Sequence, residues 1–238
     1  MLLRFLGAIQ FLTIIPIRGR TAPSGQSALF FPLVGALVGA LAGLVFRYSP
    51  GPLGPVLALI FLAIIGGGLH EDGLADIFDA LRSYRTREKM FAILKDSRIG
   101  AHGAMALIFA TAVRWSALTG LLIDPVIAFA VAQSFSRAAV VALAWTSRPL
   151  AGGSGAYLNA TMTSGIAIGA ILQGLLAASL LGWKLAVLLT SGSILLLRFL
   201  YLWFHARLGG INGDCLGTTA IIIDCYALIL FACHRCIS

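Results

Sequence analysis

The sequence GGGLHEDGLADIFDALRSYRTREKMFAILKDSRIGAHG, residues 66–103, is the stretch around which the chain is organised. It holds six of the nine acidic residues of a chain that is otherwise largely apolar. The six are Glu71, Asp72, Asp76, Asp79, Glu88 and Asp96. Six of the 17 lysine and arginine residues also lie here, between Arg82 and Arg98. Because carboxylates are rare elsewhere and gathered here, we expect them to act together.

Three of these carboxylates are spaced as neighbours on one face of an α-helix. Asp72, Asp76 and Asp79 stand at positions i, i+4 and i+7, which share a helix face. At a rise of about 1.5 Å per residue, Asp72 and Asp76 would lie about 6 Å apart along the axis, with Asp79 about 5 Å further on. A divalent cation relieves the repulsion among such anions, and Mg²⁺ prefers carboxylates together with water and phosphate oxygens. The spacing predicts a magnesium site, to which we also assign Glu71.

A second interpretation of the same acidic face stays open at this point. The face would then be solvated, and the basic residues that follow it would neutralise its charge. Those residues are Arg82, Arg85 and Lys89. An acidic triplet at helical spacing is compatible with both interpretations.

The composition is that of a protein embedded in a membrane. The chain has 238 residues, of which 59% are hydrophobic and 11% charged, whereas soluble domains carry about 25% charged residues. Its net charge of +8 does not indicate nucleic-acid binding, because the basic residues flank apolar runs, as in cytoplasmic loops and near lipid headgroups. We interpret residues 1–238 as one all-α domain, a polytopic helical bundle in contact with membrane lipid.

Hydropathy predicts about seven transmembrane helices, preceded by a short apolar segment. Residues 2–17 are short for a span of roughly 20 residues, so we interpret them as an interfacial or re-entrant helix that ends near Pro16. In the first span Gly35, Gly39 and Gly43 recur every fourth residue, which permits close helix packing. The predicted spans are residues 28–46, 53–69, 103–122, 126–145, 166–182, 185–204 and 216–233.

The distribution of basic residues predicts the orientation of these spans. Most lysine and arginine residues between spans fall on one side, which the positive-inside rule makes cytoplasmic. That side also carries the polar, glycine-rich segments, residues 66–102, 146–165 and 205–215. We therefore expect a multi-pass protein of the cell inner membrane whose active site faces the cytoplasm.

Two of these segments supply further candidate site residues. Gly152, Gly153 and Gly155 give a flexible backbone that could approach a phosphate, although an ordinary loop fits the same residues. Gly213 and Asp214 stand at the start of the last span, where Asp214 would either line the site or only cap the helix.

Charged and titratable side chains in or beside the spans are a third source of candidates. Arg114, Arg137 and Arg198 fall inside predicted spans, and charges at that depth are costly and usually face a polar interior. His70 begins the acidic stretch. It is a candidate ligand or base, but a histidine satisfied by backbone groups at a helix end explains it equally well.

Several sequence blocks resemble one known family. GGLHEDGLADIFDA at 67–80, KDSRIGAHG at 95–103 and GGINGDCLG at 209–217 resemble signature blocks of cobalamin synthase, the adenosylcobinamide-GDP ribazoletransferase family. The opening FLGAIQFLTIIPIR at 5–18 and FPLVGALVGALAG at 31–43 are similar to it as well. The resemblance covers essentially the whole chain. The first two blocks together are specific, whereas either alone would be weak.

One position departs from the family pattern. The family often has an acidic pair in the helix that follows the third block. Here Ile221 stands at the first position, and only Asp224 remains. The resemblance therefore implies no acidic role at 221 and leaves the role of Asp224 undecided.

The resemblance implies a reaction and roles for the candidate residues. In that family a hydroxyl group of α-ribazole, or of its 5′-phosphate form, attacks adenosylcobinamide-GDP and GMP leaves. Mg²⁺ on the aspartates at 72, 76 and 79 would bridge the diphosphate. Asp96 would complete the metal shell or accept the proton, while Arg98 and Arg137 would bind phosphate oxygens. The other catalytic and substrate-binding candidates are His70, Asp214, Gly152, Gly153, Gly155 and Gly213.

Two other function classes remain as alternatives. A CDP-alcohol phosphotransferase-like lipid synthase also uses aspartate-rich helices and Mg²⁺, but its usual pattern is DGxxAR, whereas this chain has DGLAD at 72–76. An anion transporter would place charged residues near mid-membrane on several helices, whereas the acidic residues here cluster at one face. For partners, a homo-oligomer and contacts with other corrinoid-pathway enzymes both remain open.

Overall fold

The computed structural model describes residues 1–17, 24–81, 86–96, 98–150, 158 and 161–233. These residues form ten α-helices and one 3-10 helix, and their only β pairing is an isolated bridge between Pro149 and Ile211. The prediction of an all-α fold is confirmed. The α-helices are α1 (Leu2–Leu12), α2 (Phe31–Tyr48), α3 (Leu53–Ile65), α4 (Leu69–Leu81), α5 (Arg87–Ile93), α6 (Ala101–Thr119), α7 (Pro125–Thr146), α8 (Ser164–Ser179), α9 (Trp183–Leu208) and α10 (Gly213–Ala232), and the 3-10 helix Gly25–Phe30 precedes α2.

Among the described residues, four helical segments are long and apolar enough to cross a membrane, or five if a bent pair counts as one span. They are Gly25–Tyr48, α7, α9 and α10, and they match four of the seven predicted spans. The count of seven is not confirmed. The 16 residues of α8 are too few, and the 19 residues of α6 are not among the candidates for a span. At the N-terminus, α1 is a short helix as expected, although it ends at Leu12 rather than near Pro16.

A sharp bend separates α3 from the acidic helix α4. The predicted span 53–69 is wrong in this respect, because α3 ends at Ile65 and the axis then turns by 89°. Gly67 and Gly68 form the turn with φ angles of 61° and 69°, a left-handed conformation that glycine adopts without a steric penalty. The acidic helix therefore does not continue the apolar one, and α4 lies outside the four straight spans.

Helix α7 is at the centre of the bundle. The most apolar stretch of α7 is 72% buried inside the protein, whereas that of the peripheral α9 is 22% buried. Helix α2 packs so closely on α7 that only glycine fits at two contact positions. A Cβ at Gly39 would clash with the carbonyl group of Phe129, and one at Gly43 would clash with the backbone of Val126. The predicted role of the regularly spaced glycines in close packing is confirmed.

The three polar segments meet at one end of the bundle. The amide of Leu150 donates to the carbonyl oxygen of Ile211 over 2.8 Å, and the amide of Ile211 donates to the carbonyl oxygen of Arg148 over 2.9 Å. From α5, the guanidinium of Arg87 donates to the carbonyl oxygen of Ala206 over 3.4 Å. The described parts of segments 66–102, 146–165 and 205–215 therefore share one end of the molecule.

Candidate active site

The acidic helix α4 packs directly against the start of the last helix, α10. A Cβ at Gly73 would come within 2.9 Å of the backbone of Asp214, and one at Gly217 within 3.2 Å of the Cα of His70. The hydroxyl of Thr218 donates a hydrogen bond of 3.0 Å to the carbonyl oxygen of Gly73. Small residues on both helices thus bring the DGLAD block beside the GGINGDCLG block.

A small cleft of about 80 Å³ opens at this contact. It brings together side chains from α4, α7 and α10 that the sequence analysis had selected from separate segments. Its polar lining consists of His70, Asp72, Arg137, Gly213 and Asp214. Phe11, Leu12 and Phe31 contribute apolar walls from the N-terminal part of the chain. The convergence of carboxylates and a guanidinium in one cleft is what the predicted phosphate chemistry needs.

Asp214 faces this cleft and does not cap its helix. The cap is Asn212, whose Oδ1 accepts from the amide of Cys215 over 3.1 Å. The Nδ2 of the same asparagine donates to Oδ2 of Asp214 over 2.6 Å. The alternative in which Asp214 serves only as a helix cap is therefore wrong.

The carboxylates of α4 and α10 repel one another across this contact. Asp72 is exposed and Asp76 is partly buried. Burial and the nearby charges of Asp72, Asp214 and Asp79, in that order, raise the pKa of Asp76 to about 6. Negative charges that disfavour one another in this way favour a cation.

These residues fit a magnesium ion that is only partly held by the protein. Within the part of the chain that the structure describes, no group of three or more His, Cys, Asp and Glu side chains is arranged to hold a metal. Mg²⁺ is usually bound by one or two carboxylates together with water and substrate phosphates, rather than by a complete protein cage. Asp72 and Asp76, with Asp214 opposite, match that donor set.

Asp79 has a different partner from the one that the spacing suggested. Its carboxylate accepts from the amide of Gly100 over 2.7 Å and from the amide of Gly103 over 2.9 Å. These amides belong to the first turn of α6, where an acidic group satisfies free backbone donors and the helix dipole. A Cβ at either glycine would clash with this carboxylate. Asp79 thus joins α4 to α6 by capping α6 from outside.

Glu71 points into a buried polar network instead of the cleft. Its Oε1 lies 3.5 Å from Nη1 of Arg114, and the same nitrogen lies 3.8 Å from Oδ2 of Asp224. The side chains of Arg114 and Asp224 are only 6% and 2% exposed. Nε2 of Gln133 donates to Oδ1 of Asp224 over 2.6 Å, and Oε1 of Gln133 accepts from Nη1 of Arg137.

The sequence predicts only some of the residues of this network. The prediction that Arg114 and Arg137 face a polar interior is confirmed, whereas Arg198 lies elsewhere, with its guanidinium carbon 5.7 Å from the ring centroid of Tyr201. Gln133 was missed, and the role of Asp224 was left undecided. The available signal was the presence of polar residues inside predicted spans, since such groups need buried partners.

Two cleft residues have polar atoms without partners among the described residues. Both ring nitrogens of His70 and Nε of Arg137 are buried and form no hydrogen bond there. Burial lowers the pKa of His70 well below its usual range, and Arg137 and Arg114 lower it further. A neutral imidazole and a guanidinium nitrogen are thus available to a ligand in the cleft.

Asp96 and Arg98 pair with each other on an exposed loop. Oδ2 of Asp96 lies 2.7 Å from Nη2 of Arg98, whose side chain is 86% exposed. Hydrogen bonds from Arg98 lower the pKa of Asp96 to about 2. Within the described residues, neither side chain forms a hydrogen bond or ion pair with the carboxylates of α4. The substrate-binding candidates Gly152, Gly153 and Gly155 lie outside the described residues.

Comparison with known proteins identifies the family. The model of the cobalamin-5-phosphate synthase family matches residues 4–232. The chain belongs to this family. Relatives named adenosylcobinamide-GDP ribazoletransferase include one from Shewanella sp. (strain W3-18-1), 34% identical over 95% of this chain and 93% of the relative. Others are from Clostridium tetani, 32% identical over 95% of both chains, and Chlorobaculum tepidum, 34% identical over 98% of this chain and 96% of the relative.

These matches confirm the family resemblance inferred from the sequence blocks. Neither the lipid synthase nor the anion transporter, the two alternatives considered above, is supported by them. No solved structure matches the chain. The roles of individual residues are therefore assigned from the geometry of the cleft.

Proposed function

We propose that the protein is an adenosylcobinamide-GDP ribazoletransferase, which completes the nucleotide loop of adenosylcobalamin. A ribose hydroxyl oxygen of α-ribazole, or of its 5′-phosphate form, attacks the phosphorus attached to adenosylcobinamide. A new phosphodiester bond forms, the phosphoanhydride bond breaks, and GMP leaves. The observation that carries this proposal is the single cleft in which Asp72 and Asp214 face Arg137.

Asp72 and Asp76 are the proposed ligands of a magnesium ion, and Asp214 on α10 adds negative charge beside them. When bound, Mg²⁺ would neutralise the charge of the diphosphate and the charge that develops on the leaving GMP. The repulsion that raises the pKa of Asp76 supports this assignment. Asp79 and Glu71 are left out of the proposed donor set because they have other partners in the structure.

Arg137 is the proposed ligand of the non-bridging phosphate oxygens. Its planar guanidinium donates to two oxygens at once, and its Nε has no partner among the described residues. His70, with its unpartnered ring nitrogens in the same cleft, is the proposed acceptor of the hydroxyl proton. Asp96 and Arg98 form a second, exposed group that would bind the substrate from the loop before α6.

The cleft is proposed to face the cytoplasm from the inner membrane. The basis is the excess of lysine and arginine on the side of the bundle that carries it, since cytoplasmic loops are enriched in these residues. The nucleotide donor carries a charged diphosphate, which does not cross a bilayer unaided. An active site open to the cytoplasm would receive it directly.

The experiment that tests this function measures GMP release by the purified protein in detergent. Adenosylcobinamide-GDP is supplied with and without α-ribazole, and a CDP-alcohol is supplied as a separate donor. We expect release of GMP only with both corrinoid-pathway substrates present. Release of CMP from the CDP-alcohol, or no turnover of adenosylcobinamide-GDP, would contradict the proposal.

A further inference from the structure

Five buried or partly buried side chains from four helices form a continuous polar network that ends at the cleft. It runs in the order Glu71 on α4, Arg114 on α6, Asp224 on α10, and Gln133 and Arg137 on α7. Two carboxylates and two guanidinium groups balance its charge. In an apolar bundle such groups are tolerated only when each is paired. This network of polar side chains therefore defines a specific arrangement of these four helices.

The amide of Gln133 has its orientation set by Asp224. An ionised carboxylate only accepts hydrogen bonds, so the amide turns its nitrogen towards Oδ1 of Asp224, at 2.6 Å. Its oxygen is then directed at Nη1 of Arg137 and accepts from it. Oδ2 of the same carboxylate lies 3.8 Å from Nη1 of Arg114. The orientation of one amide thus transmits the charge of Asp224 to Arg137.

This contact occupies one end of the Arg137 guanidinium. Nη1 donates to Gln133 and, over 2.9 Å, to Oγ of Ser136. Nε has no partner within the described residues, and the side chain lines the cleft beside Asp72 and Asp214. The guanidinium is therefore held by two acceptors of its own helix, while its Nε keeps no partner among the described residues.

We propose that Asp224, acting through Gln133, is a positioning residue that aims Arg137 at the diphosphate of the nucleotide donor. This inference rests on the proposed function. Without the carboxylate at 224, the amide of Gln133 is free to rotate and present its nitrogen to the guanidinium. Two donors would then face each other, and Arg137 would leave its position in the cleft. Asp224 acts only through these neighbours and does not itself touch the substrate.

The test exchanges the amide and the carboxylate between the two positions. Asp224→Asn replaces the obligate acceptor with an amide that can either accept from Gln133 or donate to it, so that the orientation of Gln133 is no longer fixed, and Gln133→Glu places two carboxylates face to face. The double variant Gln133→Glu/Asp224→Asn restores a donor at 224, an acceptor at 133 and the original net charge, with nearly unchanged side-chain shapes. We expect each single variant to raise the KM for adenosylcobinamide-GDP about 10- to 100-fold, the loss typical of one charge-assisted hydrogen bond. We expect the double variant to recover most of that loss.

A second readout separates positioning from general damage to the bundle. The KM for α-ribazole should change little, because Arg137 is assigned to the other substrate, and the Kd of GDP, measured without acceptor, should rise with the KM of the donor. The matched control is Asp124→Asn, which makes the same substitution at the ion pair with Arg47, away from the network. It should leave both KM values unchanged.

Several results would overturn the inference. These are an unchanged donor KM in Asp224→Asn, an equal rise of both KM values, or a double variant no better than the single ones. If Asp224→Asn does not fold, Gln133→Glu and the double variant carry the test. A double variant that folds but binds GDP no more tightly than Gln133→Glu would equally contradict the inference. A wild-type protein that binds GDP but releases no GMP would refute the proposed function, and the Kd values would still test the positioning.

Discussion

Gly73 on α4 and Asp214 on α10 are in backbone contact: a Cβ at Gly73 would come within 2.9 Å of the Asp214 backbone. This contact, together with the hydrogen bond from Thr218 to the carbonyl oxygen of Gly73, closes the cleft. The close approach of the two helices sets the distance between their carboxylates. Any side chain at position 73 would push the two helices apart.

We expect Gly73→Ala to abolish most of the activity and to lower the thermal stability. The added methyl group meets backbone atoms rather than a flexible side chain, and overpacking of this kind costs about 1–3 kcal/mol. The measurement is the melting temperature in detergent together with the rate of GMP release. Gly165→Ala on α8 is the control, because a Cβ there has nothing within 4 Å. Equal behaviour of the two variants would show that the contact at Gly73 is not tight.

We expect turnover to require Mg²⁺ or Mn²⁺. Asp72→Asn and Asp76→Asn should each lower the rate about 100-fold or more, since a bound metal supplies several kcal/mol of charge stabilisation in the transition state. Neither variant should unfold, because Asp72 is exposed and Asp76 is relieved of repulsion by the loss of charge. Rates are measured against metal concentration, with Asp124→Asn as the control. Full activity in excess chelator would refute the metal requirement.

We expect Asp79→Asn to affect stability more than metal use. The amide keeps one acceptor oxygen where the carboxylate used two, against Gly100 and Gly103, and loss of a helix cap costs typically about 1 kcal/mol. The melting temperature should fall while the Mg²⁺ concentration for half-maximal activity stays that of the wild type. A large rise of that concentration would return Asp79 to the metal ligands, as the helical spacing first suggested.

We expect the exposed pair of Asp96 and Arg98 to contribute to substrate binding and not to stability. An exposed ion pair adds little to stability in water, and Arg98 is largely solvent-accessible. Arg98→Gln should therefore raise the KM of the donor and leave the melting temperature unchanged. If kinetics and melting are both unchanged, the loop has no role in the reaction.

We expect the end of the bundle that carries the cleft to be cytoplasmic. Single cysteines are introduced as Glu88→Cys on α5 and Tyr48→Cys at the end of α2, in a background without the four native cysteines. Both positions are exposed. In intact cells an impermeant thiol reagent should label position 48 and not position 88. The reverse pattern would invert the proposed topology.

Much of the site could be predicted because its signals are local. A helix period of 3.6 residues places Asp72 and Asp76 on one face, and high hydropathy indicates membrane helices whatever their packing. Hydropathy predicts the bounds of the spans less accurately where glycines interrupt them. The turn at Gly67 and Gly68 breaks the predicted span 53–69 by 89°, because hydropathy records how apolar a segment is and not its direction.

By itself the sequence determined the class of the protein, an all-α membrane protein of the cobalamin-5-phosphate synthase family, and the segments that build its site. Only the tertiary structure decided which groups each carboxylate contacts. Asp79 meets the amides of α6, Glu71 meets Arg114, and Asp214 meets the α4 face. The physical reason is that each partner comes from a helix distant in sequence. The close approach of such helices depends on glycines that carry no charge and give no chemical signal of their own.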